Sequence, residues 1–152
     1  MNRVLILVNI TGLIIGISYG LHGPILPIFA KNVIGATYSE LGLIGLTNFI
    51  PYMFIPLFVG ILLDRVNNGY LLSIGAAINS ASVYLLSIAQ SVPEIMGFRI
   101  MTGVAHAFFW PPCEAIISNE SSEKNRVKHI SWFTMFFVIG FMVGPLLGTA
   151  LL

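Results

Sequence analysis

The sequence predicts an all-α membrane protein of five transmembrane helices, on three observations. Of 152 residues, 57% are hydrophobic and only 9% charged, whereas a soluble domain carries about a quarter charged residues. Mean hydropathy is +0.92. The charges are also spaced by uncharged runs of about 20 residues or more, enough helix to cross a hydrocarbon core of about 30 Å. The runs are too long and continuous for the alternating segments of about 10 residues that build a membrane barrel.

Five spans follow in order, within one partial transmembrane domain over 1–152. The first, 4–29, is an uncharged run behind Arg3. It opens like a secretory signal but is too long for one, and no small-residue cleavage pattern follows, so it reads as a retained helix. The second, 39–63, is closed by Asp64 and Arg65. The third, 69–90, starts from the turn-forming Asn67-Asn68-Gly69. The fourth, 93–118, starts at Pro93, with a kink expected at Pro111-Pro112. The fifth, 129–152, follows a charged loop. Loop cations set the orientation. With the N-terminus inside, Arg3, Arg65, Lys124, Arg126 and Lys128 lie on the inner side and Lys31 alone outside. The expectation is a multi-pass protein of the cell membrane with a cytoplasmic N-terminus and the lipid bilayer as its first partner.

Several classes are excluded. The net charge of +1 is scattered, which argues against nucleic acid. His22, His106 and His129 are far apart and Cys113 is single, so neither a metal site nor an internal disulfide is expected. No nucleophile triad or phosphate loop is present, so no catalytic residue, no cofactor and no enzyme activity are expected. Two rows of small residues stand out: Gly12, Gly16 and Gly20 in the first helix, and Gly140, Gly144 and Gly148 in the fifth. Such rows let helix backbones approach closely in lipid.

The turn "GILLDRVNNGY" places Gly60, Asp64 and Arg65 between the second and third helices. This G-x-x-x-D-R pattern resembles motif A of the major facilitator superfamily. "GFRIMTGVAHA", with Arg99 and then Gly103, resembles motif B. "GFMVGPLLGTA", with Gly140, Gly144, Pro145 and Gly148, resembles motif C of the drug/proton antiporter branch, with Thr149 in place of its last glycine. In motif A, Asn67 replaces the next glycine, as a residue that also tolerates a left-handed backbone, and the usual following cations are missing. The resemblance covers the whole chain and implies an incomplete N-terminal six-helix half of a major facilitator fold. It further implies that Gly60, Asp64 and Arg65 form a conformational latch against a helix of the opposite half.

Arg99 lies inside the fourth span, where a cation is costly without a partner or a wet cavity. It either snorkels to the outer interface or faces a cavity, where it binds an anionic group or tunes a proton acceptor. His106 is seven residues on, about 10 Å along the same face. In the family the first and fourth helices line the central cavity, so Tyr19, His22, Arg99 and His106 are the candidate residues for substrate or protons. Each histidine is either a titrating group or a packing residue. Glu114, near the inner end of the fourth span, is expected to join an inner charge cluster with Arg65 or Arg126 and with Asp64. No carboxylate lies deep in a span, which suits an anionic, zwitterionic or neutral substrate slightly better than a cation.

The expected function is the N-terminal part of a secondary active transporter working by alternating access, with proton-coupled efflux of small organic solutes. A facilitator or symporter for an anionic or neutral solute is the alternative within transport. A truncated membrane protein serving as a binding or assembly partner is the alternative outside it. The chain is expected to be a fragment whose missing C-terminal half is its partner, in the same chain or a second subunit.

Overall fold

A computed structural model describes residues 2–150, and the side chains of residues 2–148. Thr149, the departure from motif C, has its side chain outside the described residues. Every regular element among the described residues is a helix: α1 Arg3–His22, α2 Ile25–Asn32, α3 Tyr38–Leu63, α4 Asn68–Ser87, α5 Val92–Ala107, α6 Trp110–Glu120 and α7 Glu123–Ala150.

Local chemistry sets the helix starts. Asn2 caps α1, its side chain accepting from the Val4 N–H. At α3 a capping box forms: the Thr37 hydroxyl accepts from the Glu40 N–H at 3.3 Å, and the Glu40 carboxylate accepts from the Thr37 N–H at 2.7 Å. These bonds satisfy N–H groups that have no partner within the helix. Gly35, at φ 82°, supplies the left-handed residue between α2 and α3.

Two expected spans are divided. The 4–29 span is α1 and α2, separated at Gly23-Pro24, where proline has no N–H to give the Gly20 carbonyl. The stretch Arg3–Asn32 is still long and apolar enough to cross a membrane. The 93–118 span is α5 and α6, of 16 and 11 residues, with a turn at 108–109. The kink expected at Pro111-Pro112 is therefore a break. Two successive residues lack an N–H, so the carbonyls of Ala107 and Phe108 lose their helical donors together. Both prolines then sit in the first turn of α6, where no donor is needed. Pro51 and Pro56 in α3 and Pro145 in α7 are single and leave their helices continuous. Four stretches have the length and apolarity of a membrane span: 3–32, 38–63, 68–87 and 123–148. The last begins earlier than the expected 129–152, because Glu123 to Lys128 already wind into α7.

The chain forms two compact units. One holds α1, α7 and α6 from Cys113 on. The other is Pro27–Pro112, which holds α3, α4 and α5. The boundaries fall beside the two proline-marked breaks.

In the first unit α1 packs along α7. The buried residues of α1 are Leu5, Val8, Asn9, Gly12, Ile15, Gly16, Tyr19 and Gly20. Their spacing of three and four residues makes one stripe of the helix. Phe133, fully buried, fills the space left by Gly12. Asn2 donates through Nδ2 to the Glu120 carboxylate, which ties the start of α1 to the end of α6. Ser121 Oγ and His129 Nδ1, 2.7 Å apart, close the elbow between α6 and α7. In the second unit α5 packs on both α3 and α4, and Gly75 lets α4 meet the backbone of Phe108.

Candidate functional site

The motif C-like glycines face α1. A Cβ on Gly140 would overlap the Leu13 carbonyl, and one on Gly144 would lie 2.5 Å from the Gly20 Cα. In return, a Cβ on Gly16 would overlap the Phe137 carbonyl and one on Gly20 the Phe141 carbonyl. The two small-residue rows therefore interlock, backbone on backbone. Pro145 adds chemistry to this contact. It has no N–H for the Phe141 carbonyl, and that same carbonyl is the oxygen toward which the Gly20 Cα–H points, a weak hydrogen bond of the kind common where helices touch. At Gly148 the close obstacle is the tip of the Ile25 side chain, with Leu21 at ordinary contact distance.

Tyr19 and His22 share the end of this seam. Tyr19 is buried, with its ring edge-on to Phe137 at 5.9 Å and to His22 at 5.8 Å. His22 is half-buried, and its Nδ1 lies 2.7 Å from the Ser18 carbonyl. A carbonyl only accepts, so the Nδ1 nitrogen carries the proton.

In the second unit Arg99 and His106 are both half-buried on α5. Between them lies a contact with α3 that sequence reasoning did not single out. Thr102 Oγ1 donates to Asn48 Oδ1 at 2.7 Å and also lies 2.8 Å from the Arg99 carbonyl. One turn on, His106 stands edge-on to Tyr52 at 5.7 Å. Asn48 and Tyr52 are four apart on α3, and Thr102 and His106 four apart on α5. The two pairs therefore form successive rungs of one polar seam. Gly103 makes it possible: a Cβ there would overlap the Asn48 carbonyl and sit 3.2 Å from Pro51 Cγ. The available signal was a buried amide in an otherwise apolar run.

This rung gives a testable energy. Replacing Thr102 by Val strands the Asn48 amide, which is 3% exposed, and is expected to cost about 1 kcal/mol. Asn48→Leu added to Thr102→Val should recover most of that loss in unfolding of the detergent-solubilised protein. An additive double variant contradicts the pairing.

The motif A-like turn is built differently from expectation. The N–H groups of Arg65 and Val66 both reach the Leu62 carbonyl, at 3.0 and 2.8 Å. Asn67 has φ −58° and ψ 126°, and its side chain accepts from the Gly69 N–H at 2.8 Å. It therefore serves as the N-cap of α4 and does not supply the left-handed residue expected of it. Gly60, Asp64 and Arg65 are exposed, and nothing lies within 4 Å of a Cβ built on Gly60. Glu114 and Arg126 are exposed on α6 and α7, and no ion pair joins them. Among the described residues no group of three His, Cys, Asp or Glu is placed to hold a metal.

The family model described as Major Facilitator Superfamily matches residues 8–152. The chain belongs to the Major Facilitator Superfamily. It is 25% identical over 148 residues to the Quinolone resistance protein NorA of Staphylococcus aureus (strain MRSA252), covering 97% of this chain and 38% of that protein. An uncharacterized MFS-type transporter, MT0872, of Mycobacterium tuberculosis (strain CDC 1551 / Oshkosh) is 31% identical over 141 residues, covering 91% of this chain and 33% of its own length. The chain thus spans little more than a third of the curated relatives it matches. Facilitator family members are multi-pass membrane proteins and not enzymes.

Proposed function

We propose that this chain is the N-terminal part of a secondary transporter that moves small organic solutes by alternating access, with protons as the coupling ion. The observation that carries the reading is the half-buried pair Arg99 and His106 on one face of α5, within a facilitator chain whose relatives include a quinolone resistance protein. A cation held in an apolar bundle marks a solute or proton path, and an imidazole on the same face is a group that can accept and release a proton along it. Tyr19 and His22 form the corresponding polar end of α1. Gly60, Asp64 and Arg65, exposed at the end of α3, are the side of a latch that meets the opposite half of the transporter. Glu114 and Arg126 are further exposed charges, on α6 and α7. The N-terminus lies in the cytoplasm, by the excess of loop cations on that side.

A second reading has its own support. Glu40 lies in the first turn of α3, Asp64 caps its end, and Glu94 lies in the first turn of α5. These carboxylates sit at helix ends and offer no deep counter-charge to a cationic drug, which favours a facilitator or symporter for an anionic or neutral solute. Flux in proteoliposomes made with the complete gene product separates the readings. Under a pH gradient, Arg99→Ala and His106→Ala should each lower proton-linked flux at least tenfold at unchanged protein yield. Unchanged flux in both variants refutes the assignment. Flux indifferent to the gradient favours the facilitator.

A further inference from the structure

The outer face of α7 carries an unbroken sequence of chemistry. Lys124, Lys128 and Trp132 follow at intervals of four, and the lysine of the second turn stands over the indole, Nζ 5.4 Å from the ring centroid. Spacings of three and four then continue to Met135, Ile139 and Met142, all exposed. This stripe is turned away from α1, which α7 meets through Phe133, Phe137, Gly140 and Gly144. Among the described residues no carboxylate pairs with Lys124 or Lys128. The nearby Glu120 is engaged by Asn2.

The dimensions match one lipid molecule. Lys124 and Lys128 are separated by about 6 Å of helix rise, so both reach a single phosphate. Trp132 lies next, where an indole belongs at the level of the glycerol backbone. From Trp132 to Met142 the rise is about 15 Å, half of a hydrocarbon core of about 30 Å. We propose that this face of α7 is a binding site for an anionic phospholipid, its phosphate held by Lys124 and Lys128 and its acyl chains laid along Met135, Ile139 and Met142. The proposal holds whichever way the chain is oriented. Charge complementarity selects this occupant: a zwitterionic headgroup brings its own cation to two lysines, whereas an anionic one does not. Arg126, on another face of the helix, is not part of the site.

Brominated lipids read this contact directly. In the complete gene product, Trp110→Phe leaves Trp132 as the remaining tryptophan of residues 1–152, any tryptophan outside them is likewise replaced by Phe, and Trp132 emission is followed in bilayers containing brominated phosphatidylglycerol or brominated phosphatidylcholine. The expected result is a preference of about tenfold for the anionic lipid, weakened by salt. The preference should disappear in Lys124→Gln/Lys128→Gln and persist in Lys31→Gln. Should Trp110→Phe impair folding, the same comparison with Trp110 retained, with and without the two lysines, decides the question. Equal quenching by both lipids overturns the proposal. Absence of quenching by either also overturns it, because protein then covers this face.

Discussion

Gly16→Val and Gly144→Val are each expected to cost about 3 kcal/mol or more and to abolish recovery of folded protein. The new side chain at Gly16 would meet the carbonyl of Phe137 and the N–H of Phe141. The one at Gly144 would meet the Cα and carbonyl carbon of Gly20. Neither obstacle is a flexible side chain, so α1 and α7 must separate along their seam. Helix association in lipid depends on close packing, because the tails are as apolar as the side chains, and separation forfeits it. Gly148→Ala is an internal control: its one close obstacle is the flexible end of the Ile25 side chain, with Leu21 at ordinary contact distance, and it should cost about 1 kcal/mol or less. Thermal unfolding of the purified variants in detergent checks the order. A Gly16→Val protein as stable as the parent contradicts the interlocked seam.

Gly103→Ala should have the next largest effect, about 2 to 3 kcal/mol. A single methyl group there overlaps the Asn48 carbonyl and crowds Pro51. It pushes α5 from α3 at the residue beside Thr102, so the Asn48–Thr102 hydrogen bond and the Tyr52–His106 contact are lost with it. Stability and transport should fall together, because the same movement displaces Arg99 and His106. By contrast Gly60→Ala meets nothing within 4 Å in this chain, and alanine is the better helix former. Its folding should be unimpaired. A loss of flux with intact folding would then place Gly60 against a helix beyond this chain. Unfolding and flux measured on both variants test the contrast.

What was legible in the sequence follows from the physics of each signal. Length and apolarity report the cost of placing charge in lipid, so the membrane class could be read directly. The rows at Gly12, Gly16 and Gly20 and at Gly140, Gly144 and Gly148 had the right spacing. That they face one another depends on packing that spacing alone does not specify. Prolines were ambiguous. Pro51, Pro56 and Pro145 each remove one hydrogen bond and are absorbed. Pro111 and Pro112 remove two in succession, and Gly23-Pro24 joins a weak helix former to a missing donor, so these end helices. At Asn67 two chemistries compete, a left-handed backbone and an N-cap, and the free N–H of Gly69 decides for the cap. The Asn48–Thr102 rung was hidden because attention to charged and imidazole groups passes over neutral polar ones, although a buried amide in a membrane helix also requires a partner.

The most direct measurement of the central claim is solute movement by the complete gene product in proteoliposomes under an imposed pH gradient, with a fluorescent quinolone as first substrate and a set of small organic anions as second. The expected result is accumulation that collapses when the gradient is dissipated and that fails in Arg99→Ala. Movement of every solute at the rate of protein-free liposomes, from protein shown to be folded, would contradict it.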